Sequence, residues 1–401
     1  MAFQTHTSVQ NQPFARTDRS ALGMWWWTTD RFMLGAVAIL ILIGVGLSFG
    51  TSPAAALRTG MSQPFHYAVR QTVFGFGAAA LVLAMSMLSP RGARRASFVI
   101  YILSILIMCV LPLIGHSAKG ADRWLQLGGF SLQPSEFMKP ALIVLAAWMF
   151  AEAQKGEGVP GVSIAFGLYG VAVVLLMMQP DFGQTVLITL AFGVTFFMAG
   201  VPLRWMLAMG AAAVGGFAVV AMSFGHVAAR LHKFGLFNSA SADKVDTHQI
   251  DKATAAISAG GMFGRGPGEG LLKRQVPDVH TDFAYAGAAE EYGLMLSLLL
   301  IGLFGFIVVR GLQRAMKLSD PYEQVAAAGL FVLVGQQVCI NVAVNLNVIP
   351  TKGMTLPFIS YGGSSMLAMG LTLGLALALT RRRPGAYTQS GALAQAGVAL
   401  P

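Results

Sequence analysis

The chain has 401 residues, 55% hydrophobic and 11% charged, with a mean hydropathy of +0.64. An average soluble domain carries about 25% charged residues, so an ordinary soluble enzyme is excluded, and so is a disordered chain, which needs low hydrophobicity. The net charge of +10 would suggest nucleic acid in a soluble protein, but here the lysines and arginines flank apolar runs. A bilayer, and no nucleic acid, is the expected partner.

The first 31 residues are polar and carry Arg16, Arg19 and Arg31, with no short apolar core or cleavage site of a signal peptide, so the N-terminus is expected to stay cytoplasmic. Trp25, Trp26 and Trp27 mark the membrane interface. Stretches free of Asp, Glu, Lys and Arg follow at 32–57, 71–90, 96–118, 158–180, 182–203, 205–229, 292–309, 324–351 and 353–380. Each is long enough for a spanning helix, which needs roughly 17–25 residues. A tenth apolar run, Pro140 to Ala151, is shorter and follows Glu136 and Lys139, so by length alone it could be re-entrant.

Charge asymmetry decides between nine and ten crossings. Seven basic residues fall in the long segment 226–289, leaving 20 to assign. If all ten segments cross, 14 lie inside and 6 outside; if the short one does not, the division becomes 7 inside and 13 outside. The expectation is therefore an all-α polytopic membrane bundle of ten transmembrane helices, since period-2 alternation is absent. Both termini are cytoplasmic, and a long extracytoplasmic loop joins helices 7 and 8. Residues 1–24 and 384–401 read as tails around one membrane domain, 25–383. Cys109 and Cys339 lie inside apolar runs, so no disulfide framework is indicated.

The long loop carries its own helix signal: from Thr247 onward Ile250, Ala253, Ala256 and Ile257 share one face, and Gly260-Gly261 stops it. Gly264-Arg265-Gly266-Pro267-Gly268-Glu269-Gly270 has no following Gly-Lys-Ser/Thr and no preceding strand, so it reads as a flexible loop and not a phosphate cradle. Leu356 to Ser365 breaks the helical pattern between the last two spans, where small residues permit close packing or backbone exposure to a cavity.

Ionisable groups at the edges of spanning segments are costly, which makes each a site candidate. On this topology Arg70, Arg123, Glu136, Lys139, Asp181, Asp278, His280, Asp282, Glu290, Glu291 and Lys352 gather at the outer face, whereas the inner face has mainly topological arginines. Thr281 or Asp282, just before the eighth span, reads either as an N-cap or, for Asp282, as a general base tuned by desolvation. His280 with Asp282 lacks the ligand count of a closed metal site. Glu136 and Lys139, three apart, can pair on a helix, though Lys139 could instead meet an anionic headgroup. Asp181 reads first as the cap of the sixth span.

Several motifs together resemble the SEDS family of cell-shape and division proteins. They are Arg123-Trp124-Leu125, Gln133-Pro134-Ser135-Glu136-Phe137-Met138-Lys139, Gln179-Pro180-Asp181-Phe182-Gly183, His280-Thr281-Asp282-Phe283, Glu290-Glu291-Tyr292-Gly293 and Pro350 to Ser365, in family order across nearly the whole membrane region. Pro350-Thr351-Lys352-Gly353 is similar to the division-type branch more than to the elongation-type branch, and Gly266 to Gly270 is similar to alphaproteobacterial members. One departure is Phe237-Asn238-Ser239-Ala240, where the family often has an Asn-Pro or Asp-Pro turn.

The resemblance implies a peptidoglycan glycosyltransferase of the bacterial inner membrane at the division septum, polymerising lipid II at the outer face and releasing undecaprenyl pyrophosphate. Asp282 aligns with the family's essential carboxylate. Substrate contacts fall on Arg70, Arg123, Trp124, Glu136, Lys139, Asp181, His280, Thr281 and Lys352. Arg70, Arg123 and Lys139 are the candidate cations for the departing diphosphate. Trp124 either packs on sugar or lipid or anchors at the interface. Implied partners are a class B penicillin-binding protein of the FtsI transpeptidase type, other division proteins and membrane lipid. A divalent cation, magnesium or manganese, could bridge phosphate oxygens, which the sequence neither requires nor forbids. Rival readings are a lipid II transporter, whose polar groups belong near the midplane, an elongation-type polymerase, and a division scaffold in which Asp282 is only a cap.

Overall fold

The computed structural model describes residues 20–114, 123–127, 130–156, 158–200, 207, 210, 211, 215, 245–276, 278–349 and 353–382. The expected seventh span, the Phe237 to Ala240 departure and Lys352 lie outside the described residues.

A short helix, α1 (Ala21–Thr28), starts inside the stretch assigned to the N-terminal tail, where the Ser20 hydroxyl caps Gly23 N–H. It carries the three tryptophans. Trp25 is buried and its indole N–H donates to Ser86 Oγ at 2.9 Å, while the Arg31 guanidinium stands 4.7 Å over Trp27. The bundle follows as α2 (Arg31–Arg58), α3 (His66–Ser86), α4 (Pro90–Ile114), α5 (Pro134–Gln154), α6 (Gly161–Met178) and α7 (Phe182–Met198). Beyond residue 244 come α8 (Val245–Gly260), α9 (Ala284–Ala315), α10 (Pro321–Asn345) and α11 (Gly363–Leu379). An antiparallel hairpin, β1 (Leu125–Leu127) and β2 (Phe130–Leu132), precedes α5 with Leu125 opposite Leu132.

Among the described residues six helices, α2, α3, α4, α6, α9 and α10, are long and apolar enough to cross a membrane, and α7 and α11 are shorter apolar helices. The disputed short run extends into the 21-residue α5, which at 1.5 Å per residue is about 31 Å long, the thickness of a bilayer core. Most of α5 is buried, against α4, α6, α7, α10 and α11, so its charged first turn is satisfied by protein and not by lipid. Phe76, Leu103, Val174 and Leu298 point outward from α3, α4, α6 and α9, as side chains on a lipid-solvated surface do. The molecule is a multi-pass membrane helix bundle.

Ion pairs and hydrogen bonds between helix termini give the bundle two unlike ends. One end is tied by Asp30, whose carboxylate caps Phe32 and Met33 and pairs with Arg310 and Arg314 at 2.6 Å each. Burial would raise the Asp30 pKa, but these arginines and the backbone N–H of Met33 outweigh it and hold it below the usual aspartate value. The other end holds irregular backbone, and every described candidate residue lies there.

The loop helix is as expected, with Ala253 and Ala256 buried, Ile257 packed against the core and Gly260 at its end. Its sequel corrects the flexible-loop reading. Gly260 to Gly266 wedges into a break in α9 at Gly293 (φ 73°), where Arg265 and Gly266 N–H donate to the Glu290 and Glu291 carbonyls at 3.0 Å and Leu294 N–H donates to Gly261 O at 2.9 Å. A Cβ on Gly264 would lie 2.1 Å from Glu291 O, so the glycines serve backbone-to-backbone packing.

Candidate functional site

Asp282 sits in a turn that delivers the chain into α9. Asp278 takes a left-handed conformation (φ 51°), and its carbonyl accepts from Thr281 N–H at 3.0 Å, Phe283 N–H at 3.3 Å and the Thr281 hydroxyl at 3.2 Å. The N-cap of α9 is Phe283, without a side-chain capping bond, and this corrects the expectation that Thr281 or Asp282 caps the helix. The physical reason is a substitute: Asn345, from α10, accepts the first-turn N–H of Ala286 on its Oδ1 at 3.2 Å. Asp282 is half-buried at the end of the bundle. Its Oδ2 lies 3.6 Å from where a Cβ on Gly353 would stand.

Three rings border this turn. Tyr67 of α3 lies 4.6 Å from His280 and 5.0 Å from Tyr361, centroid to centroid, and Tyr361 N–H donates to His280 O at 2.7 Å. Arg70, one turn along α3 from Tyr67, hydrogen-bonds Tyr361; burial still raises the phenol's pKa against that bond. Burial also lowers the His280 pKa, opposed by Asp278 and aided by Arg58, so the imidazole is neutral at pH 7. Arg70 is thus a cation beside the Asp282 turn and His280 is not. A cavity of about 10 Å³ bordered by Thr51, Tyr67, His280 and Tyr361 has room for no more than a water-sized molecule, far less than a sugar needs.

The remaining candidates form a second group at the same end. Lys139 Nζ pairs with Glu136 Oε2 at 2.8 Å and donates to Gln184 Oε1 at 2.8 Å, while Gln184 Nε2 returns to Glu136 Oε1 at 2.5 Å. Lys139 is 1% and Glu136 4% exposed, which favours pairing over headgroup contact. Asp181 does cap α7, accepting from Gln184 N–H at 3.4 Å, and Gln133 Nε2 reaches its other oxygen at 3.5 Å. Burial raises its pKa against the pull of Arg123. Arg123 spends its donors on backbone, Nε on Gln179 O at 2.8 Å and Nη2 on Pro180 O, with Nη1 3.8 Å from Asp181 Oδ1. Trp124 beside it is half-buried. The loop before α11 links the two groups: Thr355 Oγ1 and Ser365 Oγ are 2.6 Å apart, and Ser364 Oγ accepts from Gln133 N–H at 2.9 Å and donates to Ser131 O at 2.8 Å.

Sequence reasoning missed Lys273, Asn341 and Asn345. Lys273, 1% exposed, pairs with Glu291 and donates to Gly50 O at 3.1 Å. Asn341 and Asn345 are 1% and 0% exposed; two asparagines four apart on one face of an apolar helix were the available signal. Among the described residues no three His, Cys, Asp or Glu side chains gather as a cation cage would need. A larger cavity, about 630 Å³, lies at the opposite end, bordered by Arg91, Arg94, Glu152, Lys155, Asp320 and Glu323, whose charges balance; it is remote from Asp282.

A multi-pass helical membrane protein with a half-buried aspartate, an arginine near it and irregular backbone gathered at one end is the class these observations define. The profile of the FtsW/RodA/SpoVE family, described as cell cycle protein, matches residues 30–384. The chain belongs to that family. It is 67% identical over 378 residues to the probable peptidoglycan glycosyltransferase FtsW of Caulobacter vibrioides, covering 94% of this chain and 96% of that one. In solved structures it is similar to a chain of a peptidoglycan synthase complex studied for the structural coordination of polymerization and crosslinking (TM-score 0.71, 25% identity, 88% of this chain and 98% of that one). It is similar also to the rod shape determining protein RodA of Thermus thermophilus (TM-score 0.63, 26% identity, 88% and 97%).

Proposed function

We propose that this protein is a peptidoglycan glycosyltransferase that polymerises lipid II at the outer face of the bacterial inner membrane during septal wall synthesis. The observation that carries the reading is the Asp282 carboxylate, half-buried at the end of α9 and outside its cap position, in a chain 67% identical to a probable enzyme of that activity. Ten crossings with both termini cytoplasmic place this end outside, in keeping with the basic-residue asymmetry.

In the reaction the 4-hydroxyl of the acceptor sugar attacks C1 of the donor. The C1–O bond to diphosphate breaks, its electron pair leaves with undecaprenyl pyrophosphate, and the hydroxyl proton passes to Asp282. Diphosphate is a good leaving group, so a second carboxylate acting as acid is not needed, unlike in inverting glycoside hydrolysis. Arg70 offers a planar fork to the developing phosphate charge. Neutral His280 and Thr281 contribute uncharged hydrogen bonds to the sugar, and Lys352, outside the described residues, is a further candidate cation by its sequence alone. Arg123, Glu136, Lys139 and Asp181 act mainly by bracing the hairpin, α5 and α7 around the diphosphate path, with Trp124 at sugar or lipid. The donor set does not fit a resident magnesium or manganese ion among the described residues, so no step passes through one. The partner is a class B penicillin-binding protein of the FtsI type, with other division proteins; a neighbour solved within a synthase complex supports this.

The test is polymerisation of purified lipid II with partner supplied. Asp282→Asn is expected to give no polymer while the protein stays folded and partner-bound; normal polymer from that variant ends the assignment. Lipid II translocation in liposomes that requires Asp282, with no polymer from the parent protein, would establish the transporter instead.

A further inference from the structure

The Asp282 turn is held from behind by one face of α10. Asn341 Nδ2 donates to the Asp282 carbonyl at 3.1 Å and to the Met354 carbonyl at 2.6 Å. Asn345 Nδ2 donates to the same Asp282 carbonyl at 3.1 Å and to Asn341 O at 2.9 Å, while its Oδ1 takes the N–H of Ala286. Both amides are buried within apolar surroundings that include Val279, Phe283 and Val344, where an amide left without partners is costly. Nothing local to residues 278–286 needs help from a helix 55 residues away to make a turn.

What the amides add is a fixed relation between the Asp282 turn, which runs on into the first turn of α9, and the segment 353–355 facing the acid, which no local bond joins to it. They also change what Asp282 is for. An aspartate directly before a helix ordinarily caps it; here an asparagine from another helix receives a first-turn N–H, and the cap position passes to Phe283. We infer that Asn341 and Asn345 are positioning residues that set the Asp282 carboxylate for proton removal, acting through its backbone carbonyl and through a cap supplied from α10. The inference rests on the catalytic reading of Asp282 and adds the device that fixes where its backbone, and so its carboxylate, stands.

Gln337 supplies the control. It lies one turn before Asn341 on the same face, is equally buried at 1% exposure, and donates to Thr355 O at 3.1 Å without touching Asp282. The experiment measures initial rates of lipid II polymerisation against lipid II concentration for full-length Asn341→Leu, Asn341→Ser, Asn345→Leu, Gln337→Leu and Asp282→Asn, each with partner and each with its thermal midpoint in detergent.

Positioning predicts that Asn341→Leu and Asn345→Leu lose about 100-fold in kcat, the cost of a displacement near 1 Å at a reacting group, with KM within about twofold. Asn341→Ser, which keeps a donor, recovers part of the loss. Gln337→Leu lowers the midpoint by as much as the asparagine variants yet loses under about threefold in kcat. The inference is overturned if the asparagine variants keep kcat per folded molecule, if their loss falls on KM alone, or if Gln337→Leu loses kcat equally, which would make the face merely structural. Asp282→Asn separates the two layers. If it still polymerises, the catalytic reading has failed; if it is inactive while the asparagine variants turn over normally, only the positioning role has.

Discussion

Two buried ion pairs stand at the same end of the bundle and were not equally visible. Glu136 and Lys139 lie three apart on α5 and meet as any i, i+3 pair on a helix can, with Gln184 of α7 closing the ring. Lys273 and Glu291 are 18 residues apart, one in the loop after α8 and the other in α9. Glu290 beside them accepts the backbone N–H groups of Leu272 at 2.8 Å and Lys273 at 2.6 Å. The first pair reconciles charges that helix geometry already brought together. The second is made by the tertiary fold: it clamps the loop after α8 onto the half of α9 that begins just after Asp282, and a Cβ on Gly50 of α2 would stand 2.3 Å from Glu291 Oε2.

The difference predicts unequal sensitivity. Lys273→Met leaves Glu291 buried without its cation, and the largest expected loss, about 3–5 kcal/mol in thermal or denaturant unfolding in detergent, follows from stranding a buried charge. Adding Glu291→Leu is expected to recover most of it; no recovery would mean that the clamp, and not the charge balance, carries the stability. Glu136→Ala and Lys139→Ala are each expected to cost about 2–4 kcal/mol, less because Gln184 still contacts whichever partner remains. The double change should cost less than the two singles together, and additive losses would break the pairing account.

The smallest effect belongs to the far end. Asp30 has its folded pKa below the ordinary value of 3.8, so its ion pairs stabilise fully above that value and lose their contribution as pH falls through the folded pKa. Asp30→Asn should therefore melt below the parent at pH 7, and the gap should begin to shrink below about pH 4 and close as pH falls through the folded pKa. A gap that persists unchanged at pH 3 would show that capping of Phe32 and Met33, which asparagine retains in part, is not the only charge-independent role of that side chain.

Much of the candidate site was legible because its signals are local or compositional. A charge is expensive in lipid wherever the chain folds, so the gathering of Arg70, Asp181, His280 and Asp282 at one end could be read from spacing alone, and so could the buried face of Ala253, Ala256 and Ile257. Asp181 capping α7 is likewise a matter of neighbours three residues apart. The cap of α9 was misjudged because the competitor, Asn345, lies about 60 residues downstream and no local rule weighs a donor or acceptor from another helix. Gly264 to Gly266, the start of the loop read as flexible, were misjudged for a related reason: glycines that permit flexibility also permit two backbones to touch, and only the break at Gly293 shows which use is made.

Composition and hydrophobic run lengths determined by themselves that this is a helical membrane protein, and charge position grouped the candidate site residues at one end, since solvation costs depend on the residue and its depth and hardly on its neighbours. The fold alone decided that Asp282 is held by Asn341 and Asn345 and left off the helix cap, and that Lys273 finds Glu291. Those facts depend on hydrogen bonds and ion pairs between segments far apart in sequence, whose partners are chosen by packing.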